Sequence, residues 1–255
     1  MAALPAPEGY ALPCPYRPTK ELSRDMPSVE RDHSAAMSSV LPHITLQTGN
    51  NPTHSIIWLH GLGANGSDFV PIVDEIILPH AVRYIFPHAP KRPVTINGGF
   101  IMPAWYDIRS DNIAEEQDAD GIHESQLAVE ALIAQEIATG IAPSHIFLAG
   151  FSQGGAIALH CGLHSEHRLG GILALSTYLP LADTAKAETP PSASGTPIFM
   201  AHGRNDPIVP YDLGKSSLEK LSALGYSVEW HEYAMQHTVC MEEVEAITQW
   251  LNARM

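Results

Sequence analysis

Gly150-Phe151-Ser152-Gln153-Gly154 sets a serine between glycines two residues to either side. Behind it runs His145-Ile146-Phe147-Leu148-Ala149, short, apolar and β-prone; ahead lies Gly155-Ala156-Ile157-Ala158-Leu159, small residues suited to a close-packed helix start. A strand that hands directly to a helix must turn sharply. In such a turn the serine Oγ stands above the sheet, and the glycines let neighbouring backbone come close. The first N–H groups of the helix face the same space and suit a developing negative charge. The chemistry implied is attack by Ser152 on an acyl carbon.

A hydroxyl is a weak nucleophile near neutral pH, so this chemistry needs a base and a third group that fixes the base's tautomer. The strand-like residues 197–201 end in His202-Gly203-Arg204-Asn205-Asp206-Pro207, which puts Asp206 on a loop at the sheet edge that carries Ser152. Residues 227–233 end in Ala234-Met235-Gln236-His237, which puts His237 on the next such loop. Ser152, Asp206 and His237 are the candidate catalytic residues, in the chain order of an α/β-hydrolase. Asp183 and Asp212 are rivals for the acid, and Asp206 before Pro207 also suits a plain turn. His231 is a rival for the base, but it lies inside the strand, where alternation fixes its face.

Acyl transfer also needs donors placed for an oxyanion. His60-Gly61-Leu62-Gly63-Ala64-Asn65-Gly66 follows an apolar strand and can turn N–H groups inward; it lacks the Gly-Lys-Ser/Thr ending of a nucleotide-binding loop. The backbone N–H groups of Leu62 and Gln153 are the candidate pair.

The elements that must position these groups alternate along the chain. Strand-like runs at 43–46, 55–59, 82–86, 145–149, 172–176, 197–201 and 227–233 are interleaved with helical patterns at 68–78, 118–139, 211–224 and 242–253, and a Pro- and Gly-rich loop fills 87–112. Short runs apolar on both faces, alternating with helices, imply a mostly parallel central sheet with helices on both faces. Ligands then bind at the carboxyl ends of the strands. Residues 1–40 are rich in Pro, Ser and mixed charge without a period and read as a flexible extension, leaving 41–255 as the catalytic domain. Met26 and Met37 are alternative starts.

Composition narrows the function classes. The 255 residues are 45% hydrophobic and carry a net charge of −14, with Lys and Arg too few to capture nucleic acid or an anionic membrane. No stretch is long and apolar enough for stable membrane insertion, and no signal peptide opens the chain, so a cytoplasmic location is expected. The three cysteines Cys14, Cys161 and Cys240 read as free thiols, and the 14 histidines contain no H-E-x-x-H, so neither a metal nor any other cofactor is expected.

Taken together, Trp58-Leu59-His60-Gly61-Leu62-Gly63, Ile96-Asn97-Gly98-Gly99, Pro103-Ala104-Trp105-Tyr106-Asp107, the Ser152 segment, Leu175-Ser176-Thr177-Tyr178-Leu179-Pro180, His202-Gly203, Asp206-Pro207-Ile208-Val209-Pro210 and His237 resemble the bacterial carboxylesterase and acyl-protein thioesterase family, also called phospholipase/carboxylesterase. The resemblance runs from about residue 43 to the C-terminus. It implies an α/β-hydrolase fold without a large lid domain, a triad of Ser152, Asp206 and His237, and oxyanion donors at Leu62 and Gln153. Gln236 stands where some relatives carry Gly. The implied activity is hydrolysis of small to medium acyl esters, with thioesters and lysophospholipids left open; the rival is a catalytically silent α/β-hydrolase used as a binding module. A homodimer is left open. Met102, Trp105 and Tyr106, with Leu179 and Ile208, are expected to line an acyl groove, and Asp107 is expected to be paired structurally.

Overall fold

Runs that are apolar on both faces become the interior strands of one sheet. A computed structural model describes residues 40–184 and 190–255. The expectation of a flexible extension over 1–40 thus falls, Val40 apart, outside the described residues. Among the described residues the main sheet has seven strands: β1 (His43–Gln47), β2 (His54–Leu59), β3 (Val82–Pro87), β6 (Ile146–Phe151), β7 (Gly171–Leu175), β8 (Ile198–Gly203) and β9 (Val228–Tyr233). Their order is β1-β3-β2-β6-β7-β8-β9, parallel throughout except that β1 runs antiparallel to β3. Strands β2, β7 and β8 are buried along their whole length, whereas the edge strands β1 and β9 are only partly covered.

The helices divide between the two faces. α2 (Ala119–Ala138), α3 (Gln153–His164) and α4 (Tyr211–Ala223) cover one, with Ile122, Val129, Leu132, Ile157 and Leu221 in its core. The short α1 (Ile72–Glu75) and α5 (Met241–Asn252) cover the other through Ile72, Val244, Ile247, Trp250 and Leu251. α2 begins where Asp118 caps it: the carboxylate accepts from the Gly121 N–H at 3.3 Å.

Two expectations from the sequence need correction. The helical pattern at 68–78 yields only a 3-10 turn, Gly66–Phe69, and the four-residue α1, because Pro71 lacks an N–H and Ile76 turns to extended backbone (φ −95°, ψ 98°). The Pro- and Gly-rich stretch 87–112 holds an antiparallel hairpin, β4 (Lys91–Val94) with β5 (Phe100–Pro103), turned through Gly98 in the left-handed region (φ 67°).

The strand order itself selects a place for a ligand. The chain runs from β2 outward to β3, then crosses back to lay β6 on the other side of β2, so loops leaving β2 and β6 diverge and open a crevice at their carboxyl ends. Leu59 pairs with Gly150 and Leu175 with Phe151, which brings the segments after β2, β6 and β7 to one edge of the sheet.

Candidate active site

Ser152 occupies the step from β6 to α3 at φ 55°, ψ −122°, a backbone conformation that costs a non-glycine residue on the order of 1–3 kcal/mol. Surrounding hydrogen bonds hold it there. Its N–H donates to the Leu175 carbonyl at 2.9 Å, and its carbonyl accepts from Thr177 Oγ1 at 2.6 Å and from the Ala156 N–H at 3.1 Å. The glycines around it permit contact of backbone with backbone: a Cβ on Gly154 would lie 2.3 Å from the Leu59 carbonyl oxygen, and one on Gly150 would lie 2.3 Å from the Gly154 oxygen. Ser152 itself remains 9% exposed.

Asp206 and His237 meet at the same edge. Asp206 Oδ1 accepts from the N–H groups of Ile208 and Val209 at 2.8 and 2.9 Å, and Oδ2 lies 2.7 Å from His237 Nδ1. The backbone donors aim the carboxylate, and the carboxylate sets the proton on Nδ1, leaving Nε2 as the atom able to accept one. The Phe151 ring packs on the imidazole at 4.7 Å, with Phe69 behind it at 5.7 Å, and Ser176 Oγ donates to the Thr238 carbonyl at 3.4 Å. No hydrogen bond joins Ser152 Oγ to His237 among the described residues; contacts of this kind tighten when substrate binds. The rivals fall away on position. Asp183 is fully exposed beside Lys220, Asp212 lies in the first turn of α4, and His231 faces Glu229 at 3.0 Å.

The glycine-rich segment after β2 is locked from both ends. Trp105 Nε1 donates to the His60 carbonyl at 2.8 Å, and the Gly63 N–H donates to the Pro103 carbonyl at 2.9 Å. His60 is buried; burial lowers its pKa, and the neutral ring has Nδ1 2.7 Å from the Gly61 oxygen while Nε2 accepts from the Ala89 N–H at 3.1 Å. The Leu62 N–H takes no part in this network among the described residues. Gln153 is the first residue of α3, so its N–H has no partner within the helix. Its side chain does work the sequence did not reveal: Oε1 accepts from the Trp105 N–H at 2.8 Å and Nε2 donates to the Tyr106 carbonyl at 2.7 Å. Ser125 Oγ also donates to the Trp105 carbonyl.

These contacts change the reading of the rim. Trp105 is completely buried, Tyr106 is 2% exposed with its hydroxyl 2.9 Å from that of Tyr178, and Leu179 is 3% exposed. Trp105 and Tyr106 are core residues, whereas Leu179, though buried, borders a cavity of about 290 Å³ together with Leu181 and Leu213. Met102 is partly exposed, its Sδ 3.7 Å from where a Cβ on Gly63 would sit, and Ile208 is 43% exposed beside Asp206. The expected structural role of Asp107 is visible: Oδ1 accepts from the Thr95 N–H at 2.7 Å and Oδ2 lies 3.6 Å from Arg109 Nε.

Comparison with known proteins bears on this arrangement. The family model described as Phospholipase/Carboxylesterase matches residues 43–255. Acyl-protein thioesterase 1 of Gibberella zeae is 40% identical over 214 residues, covering 80% of this chain and 91% of that protein. Acyl-protein thioesterase 1 of Yarrowia lipolytica is 38% identical over 207 residues, covering 78% and 91%. Among solved structures, Arabidopsis thaliana SOBER1 aligns with a TM-score of 0.76 at 33% identity, covering 79% of this chain and 98% of that one. Zea mays acyl-protein thioesterase 2 aligns with a TM-score of 0.71 at 32% identity, covering 83% and 98%. These relatives are fungal and plant proteins, which widens the bacterial likeness read from the motifs. The chain therefore belongs to the phospholipase/carboxylesterase family and is a carboxylic ester hydrolase built on the α/β-hydrolase fold.

Proposed function

We propose that the protein hydrolyses small to medium acyl esters and thioesters through an acyl-enzyme on Ser152, with residues 41–255 as the catalytic unit. His237 Nε2 takes the Ser152 proton as Oγ attacks the acyl carbon, then gives it to the departing alcohol or thiol; water, deprotonated by the same nitrogen, releases the acid. Asp206 steadies the imidazolium that forms. The N–H groups of Leu62 and Gln153 receive the oxyanion, and Met102 and Ile208 border the path of the acyl chain. The observation that carries this reading is the 2.7 Å contact of His237 Nδ1 with Asp206 Oδ2, on the sheet edge where Ser152 is held at φ 55°. Relatives named acyl-protein thioesterase favour an S-acylated protein as the physiological substrate, with lysophospholipids the competing class.

A fluorophosphonate probe tests the nucleophile. The protein is expected to be labelled and to hydrolyse a p-nitrophenyl butyrate ester, and Ser152→Ala to lose both while keeping its melting temperature. Labelling or turnover that survives in Ser152→Ala overturns the assignment. Comparing an S-palmitoylated peptide with lysophosphatidylcholine then decides the substrate class.

A further inference from the structure

Asp206 has a second imidazole beside it. His202, the penultimate residue of β8, is completely buried, and its Nε2 lies 2.9 Å from the Val209 carbonyl oxygen and 3.6 Å from Asp206 Oδ2. A carbonyl oxygen can only accept, so the proton of His202 sits on Nε2. The opposite nitrogen, Nδ1, is buried without a hydrogen-bond partner among the described residues, and a Cβ on Gly214 of α4 would come within 2.6 Å of it. Protonating Nδ1 would bury an N–H with nothing to receive it, and burial lowers the pKa of the ring accordingly. His202 is therefore a fixed neutral donor. It is further held by the Trp230 ring, stacked at 6.1 Å and 14°.

The Val209 carbonyl is the point of leverage. The N–H of Val209 holds Asp206 Oδ1 at 2.9 Å, and the carbonyl of Val209 is held by His202. One residue of the loop is thus pinned on both sides of its Cα, by the carboxylate it orients and by the strand from which the loop departs. The same Nε2 lies 3.6 Å from the carboxylate oxygen that faces His237. Resting on the triad reading above, we infer that His202 is a positioning residue for the reaction: it fixes the 206–209 turn so that Asp206 Oδ2 meets His237 Nδ1, and it acts only through Asp206. An apolar ring at 202 would fill the same space and leave the Val209 carbonyl unpaired. This explains a buried histidine that the chemistry does not itself use as acid or base.

The test is a double-mutant cycle on ester hydrolysis. His202→Phe keeps the ring and its stack on Trp230 but removes the donor. It is expected to lower kcat by about 10- to 100-fold with KM within twofold, and to weaken the downfield proton NMR signal of the His237 Nδ1–H. His202→Gln, which carries a side-chain N–H, is expected to recover a large part of the loss. In an Asp206→Asn background, His202→Phe is expected to change kcat by less than threefold, because the group it acts through is gone. An equal further loss in that background, or no rescue by His202→Gln, overturns the proposal. Gly214→Ala provides a route that leaves the histidine in place, since the new methyl must displace the ring from Nδ1; a wild-type kcat and unchanged His237 signal in that variant also count against it. Should Asp206→Asn alone retain wild-type activity, the triad reading fails and not the role of His202 within it.

Discussion

The floor of the site and its rim are built on opposite terms. On the floor, around Ser152, backbone touches backbone: Gly154 has the Leu59 and His60 carbonyl oxygens 2.3 and 2.5 Å from where a Cβ would stand. On the rim, Gly98 and Gly99 of the β4–β5 turn have nothing within 4 Å of the same point, and the neighbouring Phe100 and Ile101 are 67% and 62% exposed. The floor tolerates no added atom and holds groups that must not move. The rim has room and, on the proposed reading, is the part that meets the substrate. The proposed function would thus rest chemistry and choice of substrate on different kinds of packing within one crevice.

The sharpest way to break this comparison is to add one methyl to each region. Gly154→Ala forces a clash with main-chain atoms that cannot rotate away, and is expected to cost more than about 3 kcal/mol and to abolish ester hydrolysis. Gly98→Ala meets only the strain of its left-handed backbone, about 1 kcal/mol, and is expected to keep turnover within a few-fold. Denaturant melts with ester assays on both variants would show it; similar losses in the two would dissolve the distinction.

A second pair sharpens where the floor ends. Trp105→Ala empties a fully buried site that ties the His60 carbonyl, and is expected to cost about 3–5 kcal/mol and to lower kcat/KM by the same factor on every acyl chain. Met102→Ala is expected to leave stability nearly unchanged and to lose efficiency selectively on longer chains, by up to about 0.8 kcal/mol per methylene no longer covered. Profiles of kcat/KM against chain length separate the two. A chain-length-dependent loss in Trp105→Ala would move that residue to the rim.

The third prediction concerns a charge within the floor's support. Glu243, in the first turn of α5 just after the His237 loop, is fully buried, and burial pushes its pKa up to about 8 against the pull of the Cys240 N–H. Its folded-state pKa lies above the ordinary value of 4.5, so the protonated form contributes stability that is complete below about pH 4.5 and lost as pH rises through about 8. Glu243→Gln is expected to match wild type at pH 4.5 and to exceed it by up to a few kcal/mol, about 1.4 per pKa unit, by pH 8. Parallel thermal melts across that range check it; a constant difference would show that the carboxyl does not titrate there.

The division between floor and rim also governs what was legible beforehand. β6, α3 and the loops bearing Asp206 and His237 could be read because strands and helices impose periods, and a residue just past a strand end can point only into the crevice. The 87–112 stretch has no such period. Its glycines and prolines announce turns but say nothing of side-chain direction, so the burial of Trp105 and Tyr106 and the hairpin between them and Gly63 were invisible. Apolar spacing at 68–78 suggested a helix because periodicity alone does not weigh Pro71. The roles of Gln153 and His202 lie in hydrogen bonds to main chain 48 residues and 7 residues away, which no local pattern encodes.

Gln153 holds positions 105 and 106 by an N–H and a carbonyl alone, atoms common to almost every residue type. A grip of that kind is indifferent to the side chains beyond it. The tip of the hairpin, from Asn97 to Met102, is thereby free to exchange residues over evolutionary time without disturbing the N–H of Gln153 at the head of α3. On the proposed reading, in which Met102 borders the acyl path, substrate range and reaction chemistry would then be separately heritable.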